Sequence, residues 1–353
     1  MVFVLFLTLD LVNPYTVYNN AFYCNTTCAD CVAALNNNTY STVYVNSSLS
    51  SLTTCINNPT RFSNKTLDCQ GYEISGNNTG YGLYLNGKNN NTIRNCVVHN
   101  FQYGFYLRSA ANNTVVNSIA YNNTNSGFYL YLMPANNSLS NNRAYENKQN
   151  GFYLVSANYT NLTNNSAYNN TLRGFYLYSN SNYNTLVNNN AYNNTQQGFY
   201  IQSSPNNNLT GNSAANNTQY GFYLYSSANY NTLINNTAQH NNRSGFLIQT
   251  SLYNIAINNT AYDNIQYGIY VSSSSNNNLI GNNVSNNLLS GFYVYPNSNS
   301  NILLNNTADN NNQTGFYIRS SNLTILSSNA AYNNTQQGFY IQTSFNNSLT
   351  DNS

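Results

Sequence analysis

From residue 82 onward the apolar and polar positions of the chain recur on a fixed period. Gly82, Gly104, Gly127, Gly151, Gly174, Gly198, Gly221, Gly245, Gly268, Gly291, Gly315 and Gly338 are separated by 22, 23, 24, 23, 24, 23, 24, 23, 23, 24 and 23 residues. Phe follows each of them, with Leu83 and Ile269 as the exceptions. Two residues after the glycine stands Tyr, at Tyr84, Tyr106, Tyr129, Tyr153, Tyr176, Tyr200, Tyr223, Tyr270, Tyr293, Tyr317 and Tyr340, broken only by Leu247. Three residues after it the side chain is always Leu, Ile or Val. This alternation predicts a short strand that turns its Phe and aliphatic residues to a core and its Tyr to the surface.

Two further short strands fall in each period. One precedes the glycine by about a dozen residues, as in Asn184-Thr185-Leu186-Val187-Asn188-Asn189, and the other runs through a small residue seven before it, such as Ala120, Ala144, Ala167 or Ala191. Three strands per repeat, separated by Asn and Ser, describe one rung of an all-β parallel β-helix solenoid, about 12 rungs long. A single rung cannot bury its own apolar face, so each depends on its neighbours. Four residues before every glycine from Gly127 onward stands Asn, and nine before it Asn again except at Ser118. Asn in register can bond amide to amide along the stack, and it tolerates the left-handed backbone of tight corners. These positions therefore read as structural ladders.

Composition agrees with an ordered solenoid. Asn is nearly a quarter of the 353 residues and only 5% are charged, but aromatic and aliphatic residues return in every period, which a disordered chain lacks. The net charge is +2 from ten Lys and Arg scattered singly, so no basic stripe supports nucleic-acid binding. All six cysteines, Cys24, Cys28, Cys31, Cys55, Cys69 and Cys96, precede the uniform array. They suit a disulfide-stapled cap in an oxidising compartment, with a metal site at Cys24, Cys28 and Cys31 as the alternative. The chain thus divides into an N-terminal segment with a Cys-rich cap (1–63) and the solenoid (64–353). Met1 to Val12 read as the tail of a signal peptide or a buried strand, too short for a membrane span, which points to a secreted or cell-surface protein. Asn-x-Ser/Thr sequons, Asn122, Asn193, Asn216 and Asn333 among them, number roughly 25, close to what this composition gives by chance. The final residues, Asn347 to Ser353, stop partway through a rung, which suggests a fragment or an end that self-assembles with another subunit.

The segment Leu67-Asp68-Cys69-Gln70-Gly71-Tyr72-Glu73-Ile74-Ser75-Gly76, followed by Gly82-Leu83-Tyr84-Leu85 and Asn91-Thr92-Ile93-Arg94-Asn95-Cys96, resembles the opening rungs of right-handed parallel β-helix repeat proteins. These include the NosD-type family and related surface proteins predicted in archaea. The resemblance implies the right-handed fold; its members bind sugars, cleave them, adhere or act as scaffolds, so activity must be argued from the site.

Few residues offer chemistry. Glu146 and Asp263 share the column five before the glycine but lie five rungs apart, about 24 Å. Paired glycosidase carboxylates need roughly 5 to 9.5 Å. His240 and Asp263 occupy that column in consecutive rungs and should meet about 5 Å apart, where His could act as a base. Because the column is otherwise mostly Asn, a solvated ion pair is the expectation, and no catalytic group is assigned beyond these two candidates. Copper handling would need His99, His240 and Met133, which fall in separate rungs, so neither metal nor cofactor is expected. The Tyr column from Tyr106 to Tyr340 is the better candidate, suited to sugar rings or a protein surface. A partial second column runs through Tyr121, Tyr145, Tyr168, Tyr192, Tyr262 and Tyr332. Two functions follow: a secreted or cell-surface structural or adhesive rod, favoured by the uniformity of the rungs, and carbohydrate binding or polysaccharide processing along the Tyr column.

Overall fold

A computed structural model describes residues 15–132 and 135–353. Met1 to Val12 and Met133, which entered the readings above, lie outside them. The chain winds as a parallel β-solenoid with three sheets, one of 16 strands and two of 13. Each sheet is named here by the residue it turns inward. In one rung the leucine sheet contributes Thr185–Val187, the alanine sheet Asn190–Tyr192 and the phenylalanine sheet Phe199–Gln202. Among the described residues all strand pairing is parallel except the hairpin of Tyr15–Tyr18 with Ala21–Cys24. Register is strict, so Phe175 pairs with Phe199 and Phe199 with Phe222.

The interior follows from that register. Phe105, Phe128, Phe152, Phe175, Phe199 and Phe222 are fully buried. Their rings stack at 4.6–4.8 Å with planes 3–4° apart. The small-residue column has a steric cause. A Cβ on Gly198 would lie 2.8 Å from the Gly221 carbonyl oxygen and 2.9 Å from the Ala214 methyl. Glycine and alanine thus close one narrow inner corner together.

The Asn ladders form as expected from the sequence. The backbone N–H and the side-chain Nδ2 of Asn165 both donate to Oδ1 of Asn189, at 2.9 and 3.0 Å, and the same Nδ2 also donates to the Leu139 carbonyl at 2.9 Å. The polar atoms of Asn165 and Asn189 are thus partnered, which is what burial of amides requires. A third ladder, fourteen residues before the glycine, runs through Asn184, Asn207, Asn231, Asn254 and Asn277. One expectation is corrected. The ladder Asn are not the left-handed residues; those are their predecessors, such as Asn188, Asn193 and Asn216 at φ 53–55°. A left-handed residue points its side chain away from the turn it makes, while the next residue, back in ordinary geometry, tucks its amide inside.

The N-terminal segment joins the same sheets through Thr42–Val45, Leu49–Ser50 and Ile56–Asn57. Helix Cys28–Leu35, with a capping box from Thr27 and Asp30, covers this end. The cysteines pair as Cys24–Cys31, Cys28–Cys55 and Cys69–Cys96. All six are consumed, which removes the metal alternative at Cys24, Cys28 and Cys31.

Candidate functional site

The outer face of the phenylalanine sheet carries the main Tyr column because Tyr alternates with the inward Phe and aliphatic residues. From Tyr106 through Tyr129, Tyr153, Tyr176 and Tyr200 to Tyr223, ring centroids lie 4.8–5.1 Å apart. Leu247 interrupts the column, which resumes from Tyr270 through Tyr293 and Tyr317 to Tyr340. The column faces outward but is more enclosed than a surface column should be: Tyr106, Tyr176, Tyr200 and Tyr293 are only 6–9% exposed. Within each run of the stack the ring faces are covered by the rings above and below, so away from Leu247 and the terminal Tyr340 the column presents ring edges and hydroxyls to solvent. A sugar meeting it would contact those edges and hydroxyls, since the ring faces within the stack are taken.

Flanking residues widen this face. Tyr103 and Tyr267, each just before a repeat glycine, stack on Tyr129 and Tyr293 at 4.8 and 4.7 Å. On the other flank Tyr131, Tyr178, Tyr225 and Tyr295 lean on the main column. Sequence reasoning missed these because neither flank is Tyr in every rung. Tyr176 donates its hydroxyl hydrogen to Gln202 at 2.7 Å, and Tyr223 does the same to Gln249. Arg173 lies over the rings of Tyr176 and Tyr200, Arg243 over Tyr220 and Arg319 over Tyr295. Loss of solvation pushes the phenols of Tyr106, Tyr153, Tyr200 and Tyr293 up to about 12. Burial raises Tyr129, Tyr176 and Tyr223 as well, and neighbouring phenols add to the effect. At neutral pH these hydroxyls are neutral groups able both to donate and to accept.

His240 and Asp263 do meet, with Nε2 to Oδ2 at 3.4 Å, on an exposed corner between the alanine and phenylalanine sheets. Both are left-handed residues, at φ 53° and 54°, in the column that accepts Asn elsewhere. Their side chains are 53% and 39% exposed, an open imidazole–carboxylate contact with no enclosing wall. A second such pair escaped sequence reasoning: His99 Nε2 lies 3.6 Å from Glu73 Oε2, and its ring stacks on Tyr121 at 4.5 Å. His99 heads the partial Tyr column, which continues through Tyr145, Tyr168 and Tyr192 with planes 4–9° apart. His99 and His240 are thus far apart, each beside its own carboxylate, and share no metal-binding group among the described residues. A shallow cleft of about 170 Å³ near the N-terminal end is lined by Ser50, Ser51, Leu52, Ser75, Gly76 and Asn77, none of them a titrating side chain.

Residues 35–191, 131–238 and 228–353 match the family model described as a right handed beta helix region. No curated protein matches the chain in sequence. Among solved structures it is similar to the A-module of mannuronan C-5 epimerase AlgE6 from Azotobacter vinelandii, with 15% identity, 92% of this chain and 94% of that one covered, and a TM-score of 0.67. It is also similar to tailspike protein 3 of bacteriophage CBA120, with 12% identity, 93% and 61% covered and a TM-score of 0.56. The catalytic domain of a GH87 alpha-1,3-glucanase gives 14% identity, 92% and 67% covered and a TM-score of 0.53. At these identities the likeness is one of fold.

Proposed function

The chain belongs to the right-handed β-helix family, and from that premise we propose that it binds a polysaccharide along the outer face of its phenylalanine sheet. The observation that carries this reading is the continuous outer stack of Tyr from Tyr106 to Tyr223 and its flanking Tyr and Gln. Phenol hydroxyls held neutral recur at rung spacing, with the amides of Gln202 and Gln249 beside Tyr176 and Tyr223, and sugar hydroxyls are the groups such donors and acceptors pair with. Two of the similar structures are named for work on polysaccharides, a mannuronan epimerase and an alpha-1,3-glucanase. That supports a glycan partner over a purely adhesive rod. Three disulfides suit a secreted or cell-surface setting.

The reading is one of binding. The exposed His240–Asp263 pair sits at a corner beside this face, without a wall to exclude water or hold a substrate. The test is binding of the purified chain to a panel of soluble and insoluble polysaccharides, with released sugar assayed in the same tubes. The variant replaces Tyr176, Tyr200 and Tyr223 together by Phe, which keeps the stack and removes the hydroxyls. The expected result is binding to at least one polysaccharide, weakened in the variant, with no sugar released. Equal binding by the variant would move the site elsewhere, and release abolished by His240→Ala would make the protein an enzyme.

A further inference from the structure

Ten Lys and Arg and eight Asp and Glu are dispersed along the sequence, but the fold sorts them. Arg108 and Arg319 end their strands on the phenylalanine sheet, and Arg173 and Arg243 stand one and two residues before repeat glycines at its leading edge. Their backbones are three rungs apart in each case: 104 to 174, 174 to 245 and 245 to 315 in repeat glycines. The described acids lie elsewhere. Asp30 is in the helix, Asp68 in the leucine sheet, Glu73 and Asp309 in the alanine sheet, and Glu146, Asp263 and Asp351 at corners.

None of the four guanidinium groups has a carboxylate within 4.0 Å among the described residues, whereas Arg94 is paired with Asp68 at 2.8 Å. Their partners are instead the Tyr of the face. Arg173 covers Tyr176 and Tyr200 and donates from Nε to Gln197, and Arg243 donates to the Tyr220 hydroxyl at 3.1 Å. Arg319 lies over the ring of Tyr295 in the preceding rung, and the phenols of Tyr84 and Tyr293, also one rung before, raise the pKa of Arg108 and Arg319. Because the side chains reach toward either end, the charged heads fall two to four rungs apart, about 10–19 Å. That exceeds the Debye length of ~8 Å at physiological salt, so the cations tolerate one another without acids between them. Each guanidinium keeps donors free for a further partner.

We propose that this acid-free row of Arg108, Arg173, Arg243 and Arg319 makes the Tyr face selective for a linear acidic polysaccharide, carboxylated or sulfated, laid along the solenoid axis. The inference rests on the glycan-binding reading above and narrows its ligand. From the first to the last of these arginines the row spans nine rungs, about 43 Å, so the partner is a polymer and its separate contacts add through avidity. Nucleic acid fits less well: duplex DNA carries one charge per ~1.7 Å of axis, against four cations over the whole row, while the hydroxyls and amides between them suit sugar.

The test compares polygalacturonate with its methyl ester, the same backbone without charge, and adds dextran sulfate, neutral dextran and duplex DNA, each over a series of salt concentrations. Variants are Arg173→Gln with Arg243→Gln, the corresponding double Lys variant, and Arg143→Gln on the alanine sheet as control, all checked for an unchanged unfolding midpoint. The expected result is binding to polygalacturonate, dextran sulfate or both, at least tenfold tighter than to their neutral counterparts. The double Gln variant should lose tenfold or more and show a shallower salt dependence, while the Lys variant and Arg143→Gln retain both. Equal binding to the methyl ester would overturn this inference and leave the glycan reading standing. Failure to bind any polysaccharide would end both, and tighter binding to DNA than to either polyanionic sugar would reassign the face.

Discussion

The ladder amide of Asn189 is the most direct place to test what holds the solenoid together. Its Oδ1 accepts from the backbone N–H and the Nδ2 of Asn165, and its own Nδ2 donates to the Leu162 carbonyl at 2.8 Å and to Oδ1 of Asn212 at 3.0 Å. Asn189→Ala removes the one acceptor that two buried N–H groups of Asn165 share, and neither has another protein partner for that hydrogen. A buried donor left unsatisfied costs ~1–3 kcal/mol, so two cost about 2–6 kcal/mol before the Leu162 carbonyl is considered. The neighbouring residue Asn188 is the same amino acid, exposed and left-handed at φ 53°. Its replacement by Ala adds only the left-handed penalty of an ordinary residue, about 1–2 kcal/mol. Urea unfolding followed by far-UV circular dichroism should move the midpoint several-fold further for Asn189→Ala than for Asn188→Ala. Repeat arrays need not unfold in one step, so amide exchange at Asn165 is the companion measurement and should accelerate in the first variant only. If the two variants are equally destabilised, the ladder bonds contribute nothing beyond corner geometry and the reasoning fails.

Gly198→Ala forces a methyl to within 2.8 Å of the Gly221 carbonyl oxygen and should cost ~1–3 kcal/mol. Gly87→Ala meets open space at φ +65° and should cost only the left-handed penalty of about 1–2 kcal/mol; a thermal midpoint for Gly198→Ala indistinguishable from that of the unaltered chain would contradict the packing account. Replacing Cys69 and Cys96 together by Ser opens a crosslink of sequence separation 27 and should remove about 3.5 kcal/mol by the chain-entropy relation, read as a shift in denaturation midpoint. Alkaline pH should destabilise the fold: phenols of Tyr106, Tyr153, Tyr200 and Tyr293 hold their protons to about 12 when folded but release them near 10 when unfolded, so stability falls as pH rises from 10 to 12. Solvated hydroxyl tips keep each contribution well below ~1.4 kcal/mol per pH unit; stability unchanged across that range would show the phenols to be solvated as in free chain.

The fold was legible because its determinants are identity and interval. Phe on Phe, Ala on Ala and Asn on Asn every 23 or 24 residues specify strand, face and register together. Less legible was the division of labour within the Asn pairs. Asn193 and Asn194 are one residue type in sequence, yet one makes the left-handed corner and the other the ladder. The distinguishing signal is substitution within the chain: the corner position accepts Glu146, His240 and Asp263, whereas the next is Asn in every rung from Gly127 onward. The third ladder was hidden because Thr160 and Thr324 interrupt it. For the candidate site, the main Tyr column could be read directly, but its enclosure could not. Alternation says which way a ring points and nothing about the rings of adjacent rungs that cover it.

The arginine row exposes a limit of column-by-column reading that follows from the architecture itself. Arg108 and Arg319 lie four residues after a repeat glycine, Arg173 one before and Arg243 two before, so no alignment of repeats gathers them into a column. They converge because an outer sheet face is only a few residues wide and an Arg side chain reaches the Tyr of that face from either edge. In a solenoid whose interior is satisfied by ladders and stacked rings, inward positions accept only small departures such as Ser118, Thr160 or Ile269, and from Gly82 onward charged residues fall at outward ones. There a single unusual residue every third rung leaves the repeat consensus intact while setting the charge of a face some 43 Å long. Departures from consensus that share a face, rather than those that share a repeat position, are therefore where a chain of this kind can acquire a ligand.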